Sequence, residues 1–207
     1  MTFQGFTSQD FDVFTVPGLE ARMEVLISEL RPKLTELGTT LTPYLSAICG
    51  EEMYPHVAKH ARRTVNPPHD SWVAWGNSKR GYKALPHFQV GLFSSHVFII
   101  MAVIYESSNK LILAKYLKKH ADELKKNIPD YFYWSMDHMD AGGTLHKDLS
   151  STNFKEYAEK LQSVKKSELL CGLRIEREDP ILKDGTQLLE RIEQTFETLL
   201  PLYKASF

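Results

Sequence analysis

The sequence contains only two cysteines, Cys49 and Cys171, which lie far apart along the chain. Neither belongs to a Cys-x-x-Cys pair, so a zinc ribbon and a thioredoxin-type redox motif are excluded. No window approaches the roughly 18 consecutive apolar residues of a membrane span. The N-terminus also lacks the basic start and apolar run of a secretory signal. These absences predict a cytoplasmic protein that has no membrane partner and two ordinary buried thiols.

Motifs that identify a catalytic or cofactor site by their spacing are also missing. The chain has neither the glycine pattern of a phosphate loop or dinucleotide fingerprint nor the nucleophile elbow, and it has no His-Glu-x-x-His zinc signature. We therefore expect no cofactor. These absences make an enzyme less expected without excluding one, so the sequence leaves open whether any reaction is catalysed.

The composition is that of an ordinary globular domain. The 207 residues are 43% hydrophobic and 25% charged, which is enough apolar material to form a core without a disulfide or a structural metal. The sequence has no internal repeats, low-complexity tracts or linkers. We expect residues 1–207 to fold as a single domain.

Positive charge is concentrated in one segment of the chain. The formal net charge is only −1, which argues against sequence-specific binding to nucleic acid. Residues 54–87, however, carry six basic groups against one acidic group, so an anionic partner is expected to bind there. Bases could in principle stack on Trp72, Trp75 or Tyr82 beside these charges, but aromatic side chains in strands more often belong to the core.

The spacing of apolar residues predicts an α+β fold. In some segments they recur at steps of three and four, which is typical of helices. In others they form short runs rich in Val, Phe, Trp and Ile between turn residues, or alternate with polar residues at 169–176, which is typical of strands. The predicted helices cover 19–37, where Pro32 kinks the helix and Gly38 ends it, 39–50, 107–128, a segment around 154–161, and the residues after Asp184. The predicted strands lie near 55–65, 71–76, 86–93 and 96–105, in an antiparallel meander, and at 131–136 and 169–176, with a loop at 137–150. Runs of strands flanked by helices favour an antiparallel sheet packed with helices.

The basic segment contains a candidate anion site. Residues 55–65 are predicted as a strand, although their Ala, Lys and Arg content would also allow a helix. The strand period places His56, His60, Arg62 and Thr64 on one face and Lys59 and Arg63 on the other. Arginine and imidazole groups supply directed, charge-assisted donors to carboxylate or phosphate oxygens. The predicted ligand-binding residues are His56, Lys59, His60, Arg62, Arg63, Arg80, Lys83, His87, Gln89 and His138.

Two other interpretations of the basic segment stay open. Its residues could form a solvated hairpin, or internal ion pairs with Asp70 and Asp137. They could also bind the acidic surface of a protein partner. An exposed, flat hairpin would favour a protein partner, whereas a deep cleft lined by the same side chains would favour a small molecule. The sequence does not predict the oligomeric state.

Histidines within and beyond this segment raise the question of a metal site. Along a strand, the α carbons of His56 and His60 lie about 13 Å apart, too far for two ligands of one ion, and only a helix would bring them together. Asp137, His138 and His146 could complete a site in principle. Scattered histidines are more often surface or hydrogen-bonded core groups, so we predict no bound metal.

An enzyme that uses a cleft histidine is the main alternative to a binding domain. His60, His87 or His138 would titrate near neutral pH and serve as acid or base. The sequence offers no paired nucleophile or carboxylate dyad in support. A domain that binds a small anionic molecule is therefore the leading prediction.

At the same residues the sequence resembles the YktB-like family of uncharacterised proteins of Gram-positive bacteria. The resemblance covers essentially the whole chain and rests on Pro17–Met23, Pro55–Pro68, Lys79–Lys83, Leu85–Gln89 and Asp137-His138. It implies one domain with a fold similar to the TATA-binding-protein-like class, a curved antiparallel sheet backed by helices. It does not imply DNA binding, because fold is not function, and the family has no assigned activity or catalytic residues to carry over.

Overall fold

A seven-stranded antiparallel sheet lies at the centre of residues 3–207, which are the residues that this computed structural model describes. The strands are β1 (Tyr54–Val57), β2 (Asp70–Gly76), β3 (His87–Phe93), β4 (His96–Val103), β5 (Tyr133–Ser135), β6 (Thr144–Leu145) and β7 (Leu169–Glu176). Their order across the sheet is β1-β2-β3-β4-β7-β5-β6. The α+β class and the antiparallel meander of the first four strands are therefore confirmed. The sheet is not strongly curled.

Helices precede, interrupt and follow the strands. The α-helices of the described residues are α1 (Ser8–Asp12), α2 (Leu19–Val25), α3 (Arg31–Cys49), α4 (Lys110–Lys119), α5 (Ala121–Asn127), α6 (Ser151–Ser163) and α7 (Gly185–Lys204). A π-helical turn at Leu26–Leu30 precedes Pro32, which lacks the N–H needed for a regular helical bond. No helix within residues 3–207 combines the length and the apolar character that crossing a bilayer requires.

The predicted end of the first long helix at Gly38 is wrong. Helix α3 continues through Gly38 and ends at Gly50, whose φ of 79° is the left-handed conformation typical of a helix C-terminus. A β carbon at Gly38 would lie 3.1 Å from Val73 Cγ2 and 3.2 Å from Pro55 Cβ. Gly38 is therefore a packing residue that lets α3 approach β1 and β2 closely.

The first strand is much shorter than predicted. Strand β1 ends at Val57, and residues 58–69 form a loop before β2. His60 has a φ of 53°, which breaks the extended backbone, and Pro67-Pro68 cannot donate to a sheet ladder. The two faces predicted for residues 55–65 therefore do not exist beyond Val57.

The second half of the chain contributes three strands, two of which were predicted. Strand β7 inserts beside β4, with Met101 opposite Cys171, and separates β4 from β5. Strand β6 is a two-residue strand inside the predicted loop 137–150. The predicted helix 107–128 is divided into α4 and α5, because the chain leaves the helical conformation at His120.

The two faces of the sheet have different neighbours. One face packs against α3 and α7 and contributes residues such as Val90 to the main hydrophobic core. Successive side chains along a strand point to opposite faces of the sheet. On the other face, Phe98, Ile100 and Leu170 form a smaller apolar cluster. A loop residue, Ala141, packs on this second cluster. We call this second side of the sheet the loop-covered face.

Candidate functional site

A recess with a cavity volume of about 60 Å³ opens on the loop-covered face. Its floor is apolar and comes from three strands, with Trp72 of β2, Phe98 and Ile100 of β4, and Leu170 of β7. Its polar rim includes Asp70, Lys83, Gln89, Glu106, Asp137, His138 and Asp140. An apolar floor with a few convergent polar groups is the usual composition of a small-molecule site. We call this space the sheet recess.

Gly91 allows the floor of the sheet recess to form. It lies on β3, directly opposite Phe98 of β4. A β carbon at Gly91 would lie 2.6 Å from Trp72 Cβ and would overlap the Phe98 ring. Because glycine has no side chain, the Phe98 ring can occupy that space and become part of the floor.

Residues 136–143, the loop that follows β5, form one wall of the sheet recess. The Gly142 carbonyl accepts a hydrogen bond from Arg174 Nη2. The Arg174 guanidinium lies over the Tyr133 ring, with 3.9 Å between its central carbon and the ring centroid, which is a favourable cation–π arrangement. One side chain of β7 therefore anchors this loop to the sheet.

His138 is held on the recess wall by Glu168. Glu168 Oε1 lies 2.7 Å from both the backbone nitrogen and Nδ1 of His138, and both nitrogens donate because a carboxylate only accepts. The hydrogen bond to Glu168 raises the pKa of His138, and partial burial of the ring opposes that rise. Glu168 is only 3% exposed, and its Oε2 has no hydrogen-bond partner among the described residues.

The pairing of β5 with β7 explains why these two residues meet. Ser135, the last residue of β5, is opposite Leu170 of β7. Because the strands are antiparallel, the chain leaves β5 at the same end of the sheet at which it enters β7. Asp137 and His138 therefore lie beside Glu168, and the three side chains offer metal-ligand atoms that all lie within 4.8 Å of one another.

Asp70, the first residue of β2, is another buried carboxyl group of the recess. It is 3% exposed. Burial raises its pKa to about 6, and the positive charges of His138 and Arg63 partly oppose that rise. This side chain therefore changes its charge in the mildly acidic range rather than near its ordinary pKa.

A wider and more open cleft adjoins the sheet recess. It has a volume of about 450 Å³, and His56, Arg80 and Lys83 contribute to its lining. Tyr82, Lys83 and Glu106 line both spaces, so the two are adjacent. Lys83 Nζ lies 3.6 Å from the Glu106 carboxylate, and both side chains are partly exposed. We call this space the basic cleft.

The structure divides the predicted ligand-binding residues into groups. Lys83, Gln89 and His138 line the sheet recess, and His56, Arg80 and Lys83 line the basic cleft. His87 is fully buried beside Gln89. The remaining predicted residues belong to the 58–69 loop and lie outside both spaces, namely Lys59, His60, Arg62 and Arg63.

His60 is held in place by neighbouring groups of β2. Its Nε2 lies 3.1 Å from Ser71 Oγ, and its ring meets Trp72 edge-on with 5.6 Å between the centroids. Burial lowers the pKa of His60 to about 4, so the ring is neutral at physiological pH. Lys59 and Arg62 are exposed, as the solvated interpretation of this segment expects.

Several site residues were not identified from the sequence. Glu168 precedes β7, and no local pattern shows which strand will be its neighbour. Asp70 and Trp72 share one face of β2, which the strand period could have indicated. His146, which was considered as a metal ligand, is fully buried, and its Nδ1 accepts a hydrogen bond from Trp134 Nε1 at 3.0 Å.

The fold and the recess together define the class of this protein. It is an α+β protein in which helices cover one face of an antiparallel sheet and loops enclose a recess on the other. The profile of the DUF1054 family, described as a domain of unknown function, matches residues 6–203. The chain therefore belongs to the DUF1054 family, and its resemblance to a family of uncharacterised bacterial proteins is confirmed.

Curated relatives support the same assignment over nearly the whole chain. A UPF0637 protein of Bacillus velezensis is 51% identical over 203 residues, which cover 98% of this chain and 97% of the relative. UPF0637 proteins of Bacillus mycoides and Bacillus cereus are 49% and 48% identical over 203 residues, with 98% of each chain covered. None of these descriptions assigns an activity, so function has to be argued from the geometry of the site.

Proposed function

We propose that this protein binds a small amphipathic molecule whose apolar body lies in the sheet recess and whose anionic group lies in the basic cleft. The observation that carries the proposal is the adjacency of the two spaces, which share Tyr82 and Lys83. One small molecule can therefore contact an apolar floor and basic side chains together. Concave spaces favour a small molecule over a protein partner.

The distribution of charge supports placing the anionic group beside Arg80 and Lys83. The sheet recess itself carries Asp70, Asp137 and Asp140, which repel an anion when ionised. Arg80 is exposed at the basic cleft, and a guanidinium presents a planar set of donors suited to carboxylate or phosphate. The anion site predicted from the sequence is thus proposed at Arg80 and Lys83 rather than at the arginines of the 58–69 loop.

The volume of the sheet recess, about 60 Å³, admits a short aliphatic body rather than an aromatic ring, since a cavity of about 150 Å³ holds one benzene. Trp72 Nε1 donates to the Tyr82 hydroxyl at 2.8 Å, which holds the indole at the boundary between the two spaces. Phe98 and Ile100 supply the apolar surface beside it. Removing such surface from water contributes about 25 cal/mol per Å², so the apolar body adds to the affinity that the anionic group supplies.

We also propose a fold class and a cellular location for this protein. The antiparallel sheet with helices on one face supports assignment to the TATA-binding-protein-like class. The free thiols of Cys49 and Cys171 fit a reducing compartment, which supports a cytoplasmic location.

A thermal-shift screen followed by calorimetric titration tests the ligand proposal. Propionate, butyrate and hexanoate are suitable first compounds, because each joins an anionic group to a short apolar body. We expect at least one to raise the melting temperature in a concentration-dependent way, since a ligand selective for the folded state stabilises it by mass action. Arg80→Ala should weaken its binding about tenfold or more, because it removes charge-assisted hydrogen bonds.

Arg62→Ala is the matched control for Arg80→Ala. It removes the same charge from the same basic segment, but Arg62 is exposed and lies outside both spaces. Its affinity should equal that of the unmodified protein. Equal losses of affinity in the two variants would show that the anion is attracted by the overall charge of the basic segment and not by Arg80 itself. The proposed position of the anionic group would then be rejected.

A further inference from the structure

We propose that Asp137, His138 and Glu168 form a binding site for a divalent transition-metal ion in the wall of the sheet recess. The site is inferred from the geometry of these three side chains. It does not depend on the ligand proposed above, and it differs from the metal sites considered from the sequence because it includes Glu168 and excludes His146.

The three side chains are close enough to share one ion. Their ligand atoms all lie within 4.8 Å of one another, and His138 Nδ1 is 2.7 Å from Glu168 Oε1. Ligand atoms bonded to one tetrahedral ion at 2.0–2.2 Å lie roughly 3.3 Å apart. The observed spacing therefore needs only small side-chain movements, in which the ion replaces the proton between His138 and Glu168.

A buried oxygen of Glu168 that has no partner is a second observation in support of a metal site. The residue is 3% exposed, and Oε2 finds no hydrogen-bond donor anywhere in residues 3–207. A buried carboxylate oxygen without a partner is costly. Oε2 shares its carbon atom with Oε1, which already faces His138, so an ion bound in this cluster would be close to both oxygens.

Contacts within the protein hold the loop around the cluster. Ser135 Oγ donates to the Asp137 carbonyl at 2.9 Å, and the Met139 N–H donates to Asp137 Oδ1 at 2.8 Å. The His138 ring stacks on Tyr105 with 6.4 Å between the centroids. Such surrounding contacts orient ligands and strengthen metal binding. Asp137 is exposed, which gives an ion a route from solvent.

The ligand set indicates the class of metal. One imidazole and two carboxylates suit Zn²⁺ or Mn²⁺, whereas Ca²⁺ requires six to eight oxygen ligands and Mg²⁺ prefers oxygen ligands and water. Three protein ligands would leave at least one coordination position open. Because Asp137 and His138 line the sheet recess, that position would be accessible to a molecule bound there.

Isothermal titration of the full-length protein with ZnCl₂ and with MnCl₂ tests the site, after treatment with a chelator and dialysis. We expect saturable binding of one equivalent of at least one of these ions, and weaker binding of CaCl₂ and MgCl₂. His138→Ala and Glu168→Gln should each weaken the binding at least tenfold. Circular dichroism of each variant tests whether it remains folded.

Asp137→Asn and Asp140→Asn form the decisive pair. Both substitutions remove one negative charge from the same loop and the same recess, but only Asp137 belongs to the cluster. Asp137 is also exposed, so its variant should fold even if Glu168→Gln does not. We expect Asp137→Asn to weaken binding at least tenfold and Asp140→Asn to change it less than twofold. Equal effects of the two substitutions, or no saturable binding of either ion at concentrations up to about 1 mM, would overturn the assignment.

Discussion

Gln89 Nε2 lies 2.7 Å from His87 Nε2, which ties a fully buried imidazole to the rim of the sheet recess. His87 Nδ1 lies 2.8 Å from the Leu85 carbonyl oxygen, so Nδ1 must donate and Nε2 must accept from the amide. The neutral ring thus uses both of its nitrogens. Burial lowers the pKa of His87 to about 4, and the positive charges of His138 and Lys83 act in the same direction.

Replacing His87 with Asn should make the free energy of unfolding less sensitive to acid. The unfolded chain binds a proton at this residue below pH 6.5, but the folded protein binds it only below about pH 4. Stability therefore falls as the pH falls through this window, by on the order of 3 kcal/mol for this one group. Urea unfolding at pH 7.5, 6, 5 and 4 should show His87→Asn less stable at pH 7.5, with the difference from the unmodified protein shrinking toward pH 4.

His69→Asn is the control for that measurement, because His69 is exposed. Because its side chain is solvated in the folded and the unfolded chain alike, the free energy of unfolding of this variant should differ little from that of the unmodified protein. Asp70 contributes with the opposite sign, since its raised pKa stabilises the fold at low pH and that stability is lost as the pH rises through about 6. This contribution is common to all three proteins and cancels in the comparison. A constant difference between His87→Asn and the unmodified protein would contradict the prediction.

Gly91→Ala should destabilise the protein through steric overlap in the floor of the sheet recess. The added carbon would overlap the Phe98 ring and lie 2.6 Å from Trp72 Cβ. Overpacking of this kind costs about 3 kcal/mol. Gly50→Ala is the control, because Gly50 has a left-handed backbone with a φ of 79° but no atom within 4 Å of the added carbon, and its cost should be only the backbone strain of about 1 kcal/mol. Denaturant unfolding that ranks Gly50→Ala as the more destabilised variant would refute this account.

The strands that could be predicted from the sequence are those whose signal is local. Short runs rich in Val, Phe, Trp and Ile located β2, β3 and β4, and alternation of apolar and polar residues located β7, each to within a few residues, because most residues of these strands are buried. The same reasoning overextended β1. The extended backbone cannot continue through His60, because this residue has a left-handed conformation. A glycine at this position would have indicated such a conformation, whereas a histidine does not.

The candidate site was predictable only in part, because it depends on contacts between distant segments. Lys83, Gln89 and His138 were named from the sequence and do line the sheet recess. Glu168 could not be named, since its position follows from β7 pairing with both β4 and β5. That insertion is a property of the whole sheet, and no pattern around Glu168 encodes it.

Arg174→Met should loosen residues 136–143 while leaving the rest of the sheet intact. The guanidinium contacts Tyr133 and donates to the Gly142 carbonyl, and methionine preserves most of the apolar stem but neither of these contacts. We expect a stability loss of about 1–2 kcal/mol. Amide hydrogen exchange in this loop should become about tenfold faster, because local opening controls exchange.

The control for the Arg174 variant is Arg177→Met, which makes the same chemical change just beyond the end of β7. Arg177 contacts Asp12 at 2.9 Å and the Ser94 carbonyl at 3.1 Å, and neither group belongs to the recess wall. Its exchange should increase near those contacts and not in residues 136–143. If Arg174→Met leaves exchange in that loop unchanged while lowering global stability, the arginine supports the sheet as a whole and does not anchor the loop. Faster exchange confined to the loop would instead identify β7 as the element that positions the wall of the recess.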